Sequence, residues 1–156
     1  MLSAERVKEA MYKAGFDQVG IVAAHPFPQE ERRFRQWVSA GRHASLGYLE
    51  RHIEKRFNPR LLVKGSQTIV VGAVGYKNRH SLGYPPHFAP KIASYALNHD
   101  YHTTLKTMLH EALMTLKSDY PTLIGRAFTD SAPLAEKRLA VEAGIGWVGR
   151  QSLIIS

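Results

Sequence analysis

The chain has 156 residues, 44% of them hydrophobic, which is enough for one domain with a sizeable core. It contains no cysteine, so disulfides, thiol chemistry and iron-sulfur clusters held by its own thiolates are excluded. The 21 Lys and Arg against 13 Asp and Glu give a formal charge of +8, which favours an anionic partner, either RNA or a phosphate-bearing ligand. A solvated helix face with general basicity explains the same charge equally well.

The start of the chain lacks the apolar run of a signal peptide, and no run of about 18 apolar residues follows anywhere. We therefore expect a cytoplasmic protein that forms one domain over residues 1–156.

Hydrophobic spacing predicts the elements of the first half of the chain. The pattern indicates a helix over 4–14 that Gly15 ends, a strand over 19–24, a helix over 29–40, a short helix over 46–53 and a break at Asn58-Pro59. Residues 68–74 are almost all apolar, which predicts a strand at the centre of the sheet with both faces covered.

The second half begins with a proline-rich segment, 78–90, which predicts a long functional or mobile loop. A short strand over 92–95, a helix over 100–117, a strand over 124–128 and a helix over 133–143 are predicted to follow. This alternation indicates α/β or α+β layers with helices on both faces of the sheet.

Residues 144–149, Gly-Ile-Gly-Trp-Val-Gly, match the dinucleotide-binding pattern G-x-G-x-x-G letter for letter. In that motif the glycines follow a strand and open a helix, whereas here they follow a predicted helix. We therefore expect a helix end with Gly144 in the left-handed conformation, followed by a tight turn.

Asp130 follows a predicted strand and precedes Ser131-Ala132-Pro133, so two interpretations are open. Ser131 can cap the next helix with Pro133 in its first turn, and Asp130 can belong to that cap. Alternatively, Asp130 is an acid beside a pocket, where an apolar ligand would favour its protonated form.

Residues 99–102, His-Asp-Tyr-His, place donors and acceptors at the start of a helix. A metal site needs three convergent ligands, so we favour Asp100 as a helix cap and predict no metal site.

Several of these segments together resemble the amino-terminal domain of the epoxyqueuosine reductase family. The resemblance rests on Ala93-Ser94-Tyr95-Ala96, Asp100-Tyr101-His102, Asp130 to Leu134 and Ala143 to Ser152, and it extends to residues 41–49 and 55–60. It implies an α+β, nitroreductase-like sandwich with a central mixed sheet. It also implies a cobalamin-dependent reduction of epoxyqueuosine to queuosine in tRNA.

The resemblance also implies roles for individual residues. Asp130 falls on the acid proposed to protonate the epoxide oxygen, and Tyr101 and His102 fall on the substrate side. The implied cobalamin contacts are Arg56, Tyr95, Asp130, Lys137, Gly149, Arg150, Ser152 and Ile154. Lys137 replaces a family arginine, which keeps the charge but loses the planar guanidinium fork.

The family continues into a module with two cysteine-ligated iron-sulfur clusters, which has no counterpart in these 156 residues. We expect the isolated chain to bind cobalamin but to be inactive as a reductase, with electrons supplied by such a module or a partner. Two alternatives stay open: a non-catalytic module whose basic face binds RNA or a protein, and a flavin-binding domain.

Overall fold

A computed structural model describes residues 2–76 and 93–156. The α-helices are α1 (Ala4–Lys13), α2 (Pro28–Ser39), α3 (Ile53–Phe57), α4 (Tyr101–Asp119) and α5 (Glu136–Glu142). The strands are β1 (Gln18–Ala23), β2 (Thr68–Ala73), β3 (Trp147–Val148) and β4 (Ile154–Ile155), and short 3₁₀ helices span Gly47–Glu50, Pro59–Leu61 and Ser94–Leu97. The fold is therefore of the mixed, α+β class.

Two compact units make up the chain. Unit 1 comprises Met1–Val19 and Gly72–Thr129, and unit 2 comprises Gly20–Val71 and Asp130–Ser156. Each unit joins segments that are distant in sequence, and the single-domain boundary stays a prediction.

Helix α1 packs on α4 in unit 1. Ser3 caps α1 by accepting a hydrogen bond from the Arg6 N–H, and Val7, Ala10 and Met11 form its buried face. The Arg6 Nε–H donates to Asp119 at the end of α4, over 2.8 Å. The predicted amphipathic helix is confirmed. It is predictable because its cap and an apolar stripe at helical spacing both appear in the sequence.

Strands β1 and β2 form a two-stranded sheet within the described residues. Hydrogen bonds join the Asp17 N–H to the Ala73 carbonyl and the Ala24 N–H to the Gln67 carbonyl, so the strands run in opposite directions. The expectation that residues 68–74 are covered on both faces is wrong in this part of the chain, since no residue of β2 is fully buried. The apolar run predicts a strand correctly, but it does not determine how many strands pair beside it.

The core of unit 2 lies between β1, α3 and α5. Its buried side chains are those of Val22, Phe27, Ile53, Phe57 and Leu139. The Phe27 N–H donates to the Phe57 carbonyl over 2.8 Å, which fixes the start of α2 beside the end of α3. Burying each such side chain contributes roughly 1.5–3 kcal/mol, so this cluster positions the residues around α3 and those that precede α5.

Helix α5 begins at Glu136, three residues later than predicted, and no side chain caps it. The expected Ser131 cap, with or without Asp130, is therefore wrong. The Ala135 N–H instead donates to the Arg56 carbonyl over 3.0 Å, a bond between segments about 80 residues apart that the local sequence does not reveal. The predicted helix end is confirmed: Gly144 has φ +73°, and the Ile145 N–H donates to the Ala140 carbonyl.

Three further predictions differ from the structure. The single helix over 46–53 is replaced by the 3₁₀ turn Gly47–Glu50 and a separate α3, since His52 between them has φ +58°. The strand over 92–95 is wrong in its described part, because Ser94–Leu97 is a 3₁₀ helix, and the predicted loop over 78–90 lies outside the described residues. Residues 124–128 form no strand, and a Cβ on Gly125 would meet Leu113 of α4 at 2.8 Å, so this segment lies close against that helix.

Among the residues described, none of the helices combines the length and apolar character needed to cross a membrane.

Candidate functional site

Unit 2 carries a groove of about 650 Å³ between the region of α3 and the segment leading into α5. This volume lies within the range of small-molecule sites, roughly 300–1,000 Å³. Its charged lining consists of Arg51, His52, Arg56, Asp130, Glu136, Lys137 and Arg138. The groove therefore gathers two carboxyl groups among several cationic or protonatable side chains.

Asp130 lies in this groove with φ +48°. L-residues adopt this left-handed conformation rarely, although Asp is enriched there, and such strained positions cluster at functional sites. The Asp130 N–H donates to Glu136 Oε1 over 3.2 Å. The strained backbone is thus held by the first residue of α5.

The groove raises the pKa of the Glu136 carboxyl above its ordinary value, first because protein atoms displace water around it and second because of the Asp130 charge. Glu136 is exposed by surface area, but its carboxyl lies against a concave wall. Two neighbouring carboxyls whose charges repel tend to keep one proton between them.

Arg56 faces the same groove from the end of α3. Its guanidinium lies 5.4 Å from the centre of the Phe34 ring, and its Nε is buried without a hydrogen-bond partner among the described residues. A buried unpaired donor costs free energy, so this Nε–H is available to a ligand acceptor such as a phosphate or amide oxygen. The structure therefore brings together three of the predicted site residues, Arg56, Asp130 and Lys137.

The remaining unit 2 predictions lie on the β3–β4 hairpin. Trp147 pairs with Ile155 and Val148 with Ile154, and the Gly149 N–H donates to the Leu153 carbonyl over 2.8 Å. Arg150 and Ser152 lie in the turn, and both are exposed.

The hairpin also explains its glycines. A Cβ on Gly146 would overlap the Ile155 carbonyl, and one on Gly149 would meet Ile155 Cδ1 at 2.6 Å. The chain's own backbone and side chain thus account for these glycines without a ligand.

Unit 1 groups the other predicted residues in an aromatic cluster of Tyr95, Tyr101 and His102. The His102 ring stacks on Tyr101 with centroids 4.1 Å apart, and Tyr95 meets Tyr101 edge-on at 6.1 Å. Asp100 is the predicted cap of α4 and accepts the His102 N–H over 2.9 Å, a bond that also lowers the pKa of Asp100. In the described ranges, no group of three or more His, Asp or Glu side chains is arranged to hold a metal ion.

Three groove residues, Arg51, His52 and Glu136, carry no recognisable signal of the site in the sequence. Arg51 and His52 belong to a basic stretch whose sequence indicates only positive charge. Glu136 stands six residues after Asp130, a spacing that predicts no contact unless the chain between them turns back. The hydrogen bond from the Ala135 N–H to the Arg56 carbonyl helps to hold the chain in that turned conformation.

Fold and site together define an α+β protein with an acid-containing, cation-lined groove suited to an anionic or amide-rich ligand. A family model described as "Epoxyqueuosine reductase QueG, DUF1730" matches residues 56–131, a range that includes Arg56 and Asp130. In the region it spans, the chain is similar to the epoxyqueuosine reductase family.

Individual relatives show the same similarity. The chain is 37% identical over 150 residues to the epoxyqueuosine reductase of Cyclobacterium marinum, with 96% of the chain and 48% of that relative covered. It is 30% identical over 156 residues to that of Pseudomonas aeruginosa, with 98% of the chain and 43% of the relative covered. The chain thus spans about half the length of the curated relatives it matches.

Solved structures show the same fold. The epoxyqueuosine reductase of Streptococcus thermophilus superposes with a TM-score of 0.85 at 25% identity, over 100% of this chain and 42% of the other. An epoxyqueuosine reductase in complex with an epoxyqueuosine-modified tRNA-Tyr stem loop gives a TM-score of 0.74 at 25% identity, over 96% of this chain and 40% of the other.

Proposed function

We propose that this chain is the cobalamin-binding, acid-bearing domain of an epoxyqueuosine reductase, which reduces epoxyqueuosine to queuosine in tRNA. The observation that carries the proposal is the groove of unit 2, where Asp130 shares a lining with Arg56 and Lys137. The proposal includes a nitroreductase-like sandwich and a cytoplasmic location.

The groove chemistry suits the periphery of cobalamin, which carries amides and a phosphate. The unpartnered Arg56 Nε–H can donate to an amide or phosphate oxygen, and Lys137 adds positive charge beside it. We assign Tyr95, Gly149, Arg150, Ser152 and Ile154 to the same cofactor. The glycine at 149 is weak support, since Ile155 already requires it.

Asp130 acts in this proposal as the general acid. Opening an epoxide leaves an alkoxide, which is a poor leaving group, so a carboxylic acid beside that oxygen supplies the required proton. Bound cobalamin would supply the reducing equivalents. Tyr101 and His102 are assigned to the substrate side, where their ring and imidazole groups can stack and hydrogen-bond with a base.

Electrons must reach the site from outside this sequence, because it has no cysteine to hold an iron-sulfur cluster. We assign that supply to an iron-sulfur module or a partner. The reductase activity therefore belongs to an assembly larger than these 156 residues.

Cofactor binding is tested by titrating the purified chain with cobalamin and recording its visible spectrum. We expect a base-off spectrum at micromolar cobalamin concentrations, because no axial histidine is assigned. We also expect the Arg56→Gln variant to bind cobalamin more weakly. A spectrum that does not change would contradict the proposal, and a yellow protein on purification would favour flavin instead.

The acid role is tested in a chimera that joins this chain to the remaining part of the Cyclobacterium marinum relative. We expect Asp130→Asn to lower turnover by about 10²–10⁴, the usual contribution of a general acid, with cobalamin binding retained. The matched control is Glu54→Gln, whose side chain is 75% exposed on α3. Unchanged turnover in Asp130→Asn would refute the acid role.

A basic, non-catalytic module is the second candidate, because unit 2 holds 12 Lys and Arg against 7 Asp and Glu. It predicts RNA or protein binding with no cobalamin spectrum. The same titration therefore separates the two candidates.

A further inference from the structure

Glu136 is placed to control Asp130. It is the first residue of α5, where helical backbone fixes its Cα, and its Oε1 accepts the Asp130 N–H over 3.2 Å. That bond restrains a residue whose φ of +48° costs free energy without support. Both side chains line the same groove.

We propose that Glu136 is the positioning residue for Asp130 and that the two carboxyls share one proton. This inference rests on the proposed function, since it gives the acid of that reaction its place and its proton. It assigns Glu136 no contact with substrate or cofactor.

The direction of the Glu136 pKa agrees with this arrangement. Desolvation raises it most, the Asp130 charge raises it next, and a side-chain hydrogen bond with Asp130 raises it further. The hydrogen bond from the Asp130 N–H lowers it, but the loss of water and the nearby carboxyl outweigh that bond. The cationic or protonatable groups that line the same groove are Arg51, His52 and Arg56 around α3, and Lys137 and Arg138 on α5.

The proton balance is simple. The O–H bond of Asp130 breaks as the substrate oxygen takes the shared proton, which leaves two carboxylates. Solvent in the groove then returns one proton to the pair. No electron moves in these steps.

Two variants of Glu136 separate its role in positioning Asp130 from its role in sharing a proton. Glu136→Gln keeps an oxygen that can accept the Asp130 N–H but loses the titrating group, whereas Glu136→Ala loses both. Glu54→Gln on α3 is the control for removing a carboxyl elsewhere in unit 2.

The first measurement is a pH titration of the chain's carboxyl carbons by ¹³C NMR. We expect the Glu136 carboxyl step to lie above the ordinary Glu range, and we expect this step to disappear in Glu136→Gln but to persist in Glu54→Gln. The Asp130 amide signal should stay in place in Glu136→Gln and shift in Glu136→Ala. A raised step that persists in Glu136→Gln, or an Asp130 amide unmoved in Glu136→Ala, would overturn the inference.

The second measurement uses the chimera. In Glu136→Gln, the pH above which turnover declines should move to lower pH, while Glu136→Ala should also lower kcat by up to about 10²-fold through misplacement of Asp130. A merely structural Glu136 would leave the pH profile of folded Glu136→Gln unchanged. If cobalamin fails to bind, the proposed function fails while the NMR titration still reports the pair, so the two failures are distinguishable.

Discussion

Gly146 shows how a single residue sets the geometry of the β3–β4 hairpin. The position of its missing Cβ is occupied by the Ile155 carbonyl, and the γ2 carbon of Ile154 lies 3.2 Å from it. Backbone atoms cannot move aside as the end of a flexible side chain can, so any side chain at this position forces the strands apart.

Gly146→Ala is therefore expected to lower the free energy of unfolding by about 1–3 kcal/mol, the usual cost of overpacking. Urea denaturation followed by circular dichroism measures the change. Gly47→Ala is the control, since a Cβ at Gly47 meets nothing within 4 Å. Equal stability of the two variants would show that the hairpin tolerates a wider separation.

Helix α5 is joined to the chain after β1 and to α2 by a charged network. Arg138 donates from Nε to Glu30 over 2.7 Å and contacts Glu142 over 3.0 Å, and Glu142 also pairs with the His25 imidazole. The Pro26 carbonyl and, second, Glu142 raise the pKa of His25. A raised folded pKa means that the protonated imidazole stabilises unit 2.

This contribution is fully present below the unfolded pKa of about 6.5 and is lost as pH rises through the higher folded pKa. We expect the difference in unfolding free energy between the parent chain and His25→Gln to be larger at pH 6 than at pH 9. Urea titrations at the two pH values measure it, with His110→Gln on the exposed face of α4 as the control. A difference that does not vary with pH would contradict the role of His25.

Periodic segments with local signals are predictable from sequence. The helix that begins after Ser3 and the one that begins after Asp100 both carry their caps in the sequence, and Gly144 marks the end of α5. The start of α5 is not predictable, because a hydrogen bond to Arg56 sets it. The partnership of Asp130 with Glu136 depends on that same long-range bond, so the sequence reveals the acid but not its neighbour.

At the scale of the whole molecule, the charge of +8 is unevenly distributed, and unit 2 holds the larger share of the excess. Binding of the proposed tRNA partner releases counterions from each phosphate that a cation neutralises, so binding must weaken as salt rises.

We expect the affinity of the chain for a tRNA stem loop to fall steeply between about 50 and 200 mM salt. Replacing Arg33 and Arg42 by Gln should flatten the slope of log K against log salt by about 0.7–0.9 for each phosphate that is no longer neutralised. Fluorescence anisotropy of a labelled stem loop measures the slope. The control is Lys8→Gln, because Lys8 is an exposed residue of α1 in the other unit. A slope that Lys8→Gln reduces as much as the arginine changes would place the RNA surface elsewhere.

The hairpin has an optical consequence. The chain has two tryptophans, Trp37 in α2 and Trp147 in β3, and both belong to unit 2. Their emission therefore follows the melting of that unit, while the far-ultraviolet circular dichroism signal follows the helices of both units, with α1 and α4 in unit 1. If the tryptophan emission and the far-ultraviolet signal change at the same temperature, the chain melts as one cooperative domain. Separate midpoints would mean that each unit has its own stability.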